Sequence, residues 1–175
     1  PAFADLDGDG DLDAYVGNKD GAIVMYVNTG SATEPSFAQD TTANNPFSDL
    51  SSYHSEGFDS VTPIFVDLDG DGDLDIVSAS IHDDTIAWYE NDGAANPTFT
   101  AADIATTADY AVGVHIADMD GDGDLDIVSA SQLDDTIAWY ENNGAANPTF
   151  TASDITTSAS GAHDIFLIDI DHDGD

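Results

Sequence analysis

Aspartate occupies every second position of residues 67–75, DLDGDGDLD, and the same nine-residue pattern returns as DLDGDGDLD at 5–13 and DMDGDGDLD at 118–126. A fourth run, DIDHDGD, fills 169–175. Five carboxylates in nine residues repel one another, so such a loop calls for a counter-charge. Carboxylate and carbonyl oxygens are hard donors, which favour an alkaline-earth cation over a metal that seeks thiolate or imidazole. Calcium fits best, because it accepts a flexible shell of six to eight oxygens. Magnesium demands a smaller octahedron and gives up its waters reluctantly.

Counted from the first aspartate, oxygen-bearing residues stand at positions 1, 3, 5, 7 and 9, with glycine at position 6 for the sharp turn. The expected ligands in the second loop are the side chains of Asp67, Asp69, Asp71 and Asp75 and the carbonyl of Asp73. In the first loop the same roles fall to Asp5, Asp7, Asp9, Asp13 and the carbonyl of Asp11. In the third they fall to Asp118, Asp120, Asp122, Asp126 and the carbonyl of Asp124. The fourth offers Asp169, Asp171, Asp173 and Asp175 and lacks position 9, so three complete calcium sites and a truncated fourth are expected. His172 stands where the other loops have Gly8, Gly70 and Gly121. A complete EF-hand is excluded. Its bidentate glutamate at position 12 is replaced by Val16, Ser78 and Ser129, and the flanks read as strands.

Catalysis has little to build on. His54, His82, His115, His163 and His172 do not recur at equivalent repeat positions, and no serine or cysteine nucleophile motif accompanies them. Asp83-Asp84 and Asp134-Asp135 read as tight turns rather than acid–base pairs. The chain is expected not to be an enzyme.

The loops are positioned by a repeat. They start at residues 5, 67, 118 and 169, and between 75–107 and 126–158 the sequence is identical at 27 of 33 positions, which marks one supersecondary unit per repeat. Within the third unit, residues 114–117 lead into the loop and 127–131 leave it. Thr136 opens a β-rich run, TIAWYE, Asn142-Asn143-Gly144 supplies a turn, and 148–152 a fourth, edge-tolerant strand. Four strands in about 50 residues are the length of a β-propeller blade. The repeats are read as 1–60, with a polar insertion at about 40–60, then 61–111, 112–162 and the start of a fourth at 163–175. Both ends of the sequence fall at metal loops, so the chain reads as a segment of a longer propeller. Phe37, Phe99 and Phe150 are expected to anchor the core. Trp88-Tyr89 and Trp139-Tyr140 are expected to send one ring to each face of the sheet, mainly as packing, with an outward ring available to stack on a sugar.

Composition narrows the partners. Asp and Glu number 36 against one basic residue, Lys19, giving a formal charge of −35, which nothing here could turn toward phosphates. Nucleic acid and an anionic membrane surface are excluded as partners, and direct membrane insertion is not expected. A hydrophobic fraction of 41% argues for a packed fold despite the charge. With no cysteine, disulfides cannot hold it.

DxDGDGxxD between two short strands, repeated with WYEN and NPTF runs, resembles the FG-GAP/VCBS repeat family, including the calcium-bearing blades of integrin α-subunit propellers. The resemblance implies an all-β propeller, most often seven-bladed, with calcium in the loop between the first two strands of each blade. It also implies an extracellular, secreted or cell-surface setting and an adhesive or ligand-binding role. The expected function is therefore a non-catalytic, calcium-stabilised module that binds a glycan or an extracellular protein. Two alternatives stand beside it: a structural subunit of a filament, sheath or surface layer built from further copies of itself, and an accessory propeller of a secreted hydrolase or lyase.

Overall fold

Strand-forming and turn-forming residues alternate so regularly that each repeat folds into one antiparallel sheet. The computed structural model describes residues 2–5, 9–17, 23–40, 61–81, 83–94 and 97–168. The expectations for Asp7, Lys19, His54, His82, the 41–60 part of the insertion and all of the fourth loop lie outside these residues. The strands are β1 (Ala2–Ala4), β2 (Asp13–Gly17), β3 (Ile23–Asn28) and β4 (Phe37–Gln39), then β5 (Val61–Val66), β6 (Asp75–Ser80), β7 (Thr85–Asn91) and β8 (Phe99–Ala105), and finally β9 (Ala111–Ala117), β10 (Asp126–Ser131), β11 (Thr136–Asn142) and β12 (Phe150–Thr156). Each set of four forms a separate sheet in simple sequential order, every pair antiparallel. These are three propeller blades, all-β among the described residues. No described helix is long and apolar enough to cross a membrane.

The second and third blades share an irregularity in their outer strand pairs. The pairing of β7 with β8 slips between Ile86 and Ala87, and that of β11 with β12 between Ile137 and Ala138. The turns between the second and third strands are built on Asp84 and Asp135, both left-handed at φ 56° and 57°, a conformation aspartate tolerates better than most residues. Their carboxylates reach across to the next connection. Asp84 Oδ1 accepts from Tyr110 N at 2.9 Å and Asp135 Oδ1 from Gly161 N at 3.0 Å. The paired aspartates are thus turn residues that clamp one blade to the start of the next.

Blades pack face to face because the second strand is apolar on both sides. All six residues of β6 are buried. Ile76 faces the first blade, with Ala4, Tyr15 and Met25, while Val77 and Ala79 face the third, with Val114, Ile127 and Tyr140. Alternation on a strand sends neighbours to opposite faces, so one strand serves two interfaces. Full burial of such aliphatic side chains contributes about 1.5–3 kcal/mol each. The aromatic pairs follow the same rule. Trp88 packs toward the third blade, 6.5 Å from the Phe150 ring, and Tyr89 packs toward the first. None of the four rings is exposed, and Trp88 and Tyr140 are fully in the core, so neither is available to a sugar. Phe99 and Phe150 anchor these interfaces as expected. Phe37 does not: it is 45% exposed on the first blade, edge-on to Phe3 at 6.4 Å.

The interface between the second and third blades carries a buried polar contact, with Ser129 Oγ and Tyr140 OH 3.3 Å apart. Burial pushes the Tyr140 phenol above its usual range, the Ser129 hydrogen bond opposing it. Tyr140→Phe is expected to cost about 1 kcal/mol, the usual net worth of such a bond. Thermal unfolding should register it as a loss of about 2–4 °C. An unchanged melt would mean that the hydroxyl pair adds nothing to blade docking.

Candidate metal centre

Each of the first three aspartate loops connects the first and second strands of its blade, and short hydrogen bonds among its described residues determine its shape. In the third, Asp118 Oδ1 accepts from Gly121 N at 2.8 Å and Asp122 N at 3.1 Å, and Oδ2 from Gly123 N at 3.0 Å. Asp120 and Asp122 each accept from the amide two residues on, at 3.2 and 2.9 Å. The second loop repeats the pattern through Asp67, Asp69 and Asp71, at 3.1, 3.2 and 2.9 Å. In the first, Asp5 accepts from Asp9 N and Gly10 N, and Asp9 from Asp11 N. The turn demands positive φ at position 6, met by Gly10, Gly72 and Gly123 at 93°, 101° and 97°. Glycine adopts this without a steric cost.

The carboxylates at positions 1, 3 and 5 converge. Oxygens of Asp67, Asp69 and Asp71 lie within 4.8 Å of one another, as do those of Asp118, Asp120 and Asp122. Asp67 Oδ1 is shielded from solvent and accepts no hydrogen bond. A carboxylate oxygen in that position lacks a donor or cation to satisfy it. Burial, joined by the charges of Asp71 and Asp67, raises the Asp69 carboxyl above its usual range, against the hydrogen bond from Asp71. Asp120 is raised in the same direction. An all-oxygen donor set, a shielded oxygen and crowded like charges fit a hard divalent cation. Asp67, Asp69, Asp71 and Asp118, Asp120, Asp122 are the residues that would hold it, and the ion would supply charge compensation and loop closure rather than reactivity.

The ninth aspartate lies near enough for charge to act between Asp75 and Asp69 and between Asp126 and Asp120, yet it is buried. Asp75 and Asp126 are each 1% exposed at the start of the second strand and stand outside those triads. Asp75 Oδ1 accepts from Asn91 N at 2.8 Å, and Oδ2 from Leu68 N at 3.3 Å and Trp88 Nε1 at 3.0 Å. Burial pushes its carboxyl up to about 6, with those three donors pulling the other way. Asp126 accepts from Asn142 N at 2.8 Å and Met119 N at 3.1 Å, and Asp13 from Asn28 N at 2.7 Å. Only the second blade adds an indole. Trp139 Nε1 is buried without a hydrogen-bond partner. Each ninth carboxylate therefore fastens its loop to the end of the third strand.

Asn28, Asn91 and Asn142 form that far end, where local sequence signals no more than a turn, at the third of them. Each is followed two residues later by glycine, a recurrence that marks the position. Its side-chain oxygen accepts from the glycine amide at 3.0, 3.1 and 3.0 Å. Gly93 and Gly144 also lie so close under the side chains of Asp73 and Asp124 that a Cβ there would push those carboxylates aside. The position-7 aspartate, expected to offer its carbonyl, thus lays its carboxylate on the neighbouring turn. Between the second and third blades the loops line a shared cleft of about 170 Å³, walled by Asp67, Leu68 and Asp69 on one side and Asp124, Leu125 and Asn142 on the other.

Comparison with known proteins accords with this architecture. A family model described as an FG-GAP-like repeat matches residues 5–78, 67–129 and 118–175. Among solved structures the chain is similar to one described as showing specific recognition of non-reducing terminal N-acetylglucosamine by an Agrocybe aegerita lectin, with a TM-score of 0.56 and 22% identity over 91% of this chain. At that identity the similarity is one of fold. The chain spans 38% of the length of that lectin chain. No curated protein matches the sequence.

Proposed function

Because the chain belongs to the FG-GAP-like repeat family, we propose that it is a calcium-stabilised, non-catalytic binding module that presents its blade loops to glycans or extracellular proteins. The observation that carries this reading is the recurrence of convergent carboxylate triads, 67/69/71 and 118/120/122, in successive blades. The triads hold the ion together with the carbonyls of Asp73 and Asp124, while Asp75 and Asp126 hold the loops closed. Repeat equivalence extends the assignment to Asp5, Asp7, Asp9, Asp11 and Asp13, and to Asp169, Asp171, Asp173 and Asp175. Millimolar calcium outside the cell suffices for sites of modest affinity, which favours a secreted or cell-surface setting. The fold shared with a lectin makes glycans the first ligands to try.

The test is a glycan array probed with the full chain in calcium and again in chelator, with glycans ending in N-acetylglucosamine included. Retention by a defined glycan set that is lost on chelation is the expected result. Retention unaffected by chelation would remove calcium from the recognition. Absence of retention on every glycan would overturn the glycan arm and leave protein ligands. A structural role has one observation in its favour, the apolar side chains left exposed on the first blade, Phe3 at 58% and Phe37 at 45%. Calcium-dependent growth in particle size at rising protein concentration would support that reading over a monomeric lectin.

A further inference from the structure

Asn142 is the one described side chain that joins two metal loops. It ends β11 and is 3% exposed. Its Nδ2 donates to Leu125 O at 3.0 Å, in the loop of its own blade, and to Leu68 O at 3.3 Å, in the loop of the preceding blade and 74 residues away. Its other polar atoms are also occupied: Oδ1 accepts from Gly144 N, and its backbone N donates to Asp126 Oδ1. The amide therefore cannot turn to follow one loop without releasing the other. Leu68 is held just as firmly. Its N donates to Asp75 Oδ2, its O accepts from Asn142, and its side chain is 3% exposed between the two blades. It lies between Asp67 and Asp69, so the orientation of its peptide helps to set the spacing of two carboxylates of that triad.

We propose that Asn142 couples the loops 67–75 and 118–126, so that ion binding at one strengthens binding at the other. This rests on the calcium reading above and adds to it. Closing loop 118–126 fixes Leu125 O, which orients the Asn142 amide, which in turn holds Leu68 and prearranges Asp67 and Asp69. The entropy of ordering the second loop is then partly met before its ion arrives, which is positive cooperativity. Asn142 acts as a positioning residue, since nothing places it among the ligands. The matching residue one blade earlier, Asn91, donates to Leu74 O in its own loop at 2.9 Å. Its counterpart to Leu68 would be Leu6, outside the described residues.

The experiment is calorimetric calcium titration of the full chain with one loop disabled at a time. Asp120→Asn with Asp122→Asn silences the third loop, and Asp69→Asn with Asp71→Asn silences the second. Silencing the third is expected to weaken the second about 5- to 10-fold, within the usual range of site coupling. Linkage requires silencing the second to weaken the third by the same factor, a symmetry that damage to one blade would not reproduce. In Asn142→Ser, which keeps an oxygen for Gly144 N and loses the reach to Leu68 O, both factors should fall toward one. Binding with no coupling in the wild-type background would overturn the proposal, as would coupling unchanged by Asn142→Ser. No calcium uptake at all would instead defeat the calcium reading on which it rests.

Discussion

Chelation should lower the melting temperature of the chain by about 10–20 °C. A ligand that binds only the folded state adds about 2.7 kcal/mol per site at a free concentration one hundred times its Kd. The two loops whose triads are described, 67/69/71 and 118/120/122, therefore supply about 5 kcal/mol between them on that basis. Each kcal/mol moves the melt of a 150–250-residue domain by about 2–4 °C. Removing the ion also leaves like charges pressed together, which adds to burial, the larger cause, in raising the carboxyls of Asp69 and Asp120. The loss should be reversed by calcium and only weakly by magnesium, whose octahedral shell suits this loop less well. Differential scanning calorimetry before and after chelation measures it directly. A melt unmoved by chelator would mean the aspartates are a surface adaptation and the loops close without an ion.

Much of this architecture was legible because one repeat is written nearly twice. The 51-residue spacing, the glycines at position 6 and the β-rich TIAWYE run fixed the loop, its turn and the strands on either side through local chemistry alone. Alternation also placed Trp88 and Tyr89 on opposite faces. What alternation could not show is that both faces are interfaces, because that depends on a blade on each side. For the same reason Phe37 misled: the motif around it matches Phe99 and Phe150, yet its exposure is decided by what covers the first blade. The hydrogen bonds of the ninth aspartate were hidden differently. Spacing counts Asp75 among the loop oxygens but does not show its donors Asn91 and Trp88, which are 16 and 13 residues downstream. Only the hairpin of β6 and β7 brings them to it.

That distinction leads to the second large effect, Asp75→Ala, expected to cost about 3–5 kcal/mol with or without calcium. The substitution removes the acceptor for three buried donors, Asn91 N, Leu68 N and Trp88 Nε1. A buried donor left unsatisfied costs about 1–3 kcal/mol, and the three are not fully additive because they share one carboxylate. One term works the other way. Burial outweighs the three hydrogen bonds and holds the carboxyl near 6, so alanine also removes a poorly solvated charge, which lowers the net loss toward the bottom of the range. Asp75→Asn should fall between wild type and alanine. A carboxamide has one oxygen and can serve either Asn91 N or the Leu68 and Trp88 pair, while its NH2 group confronts the donors on the other side. Asp69→Asn provides the contrast, because Asp69 accepts a single loop amide. Its loss should appear in calcium and nearly vanish in chelator. Denaturant unfolding of the three variants under both conditions separates a latch from a ligand. If Asp75→Ala lost stability only in calcium, the ninth carboxylate would belong with the ion, and the three hydrogen bonds would contribute little to closing the loop.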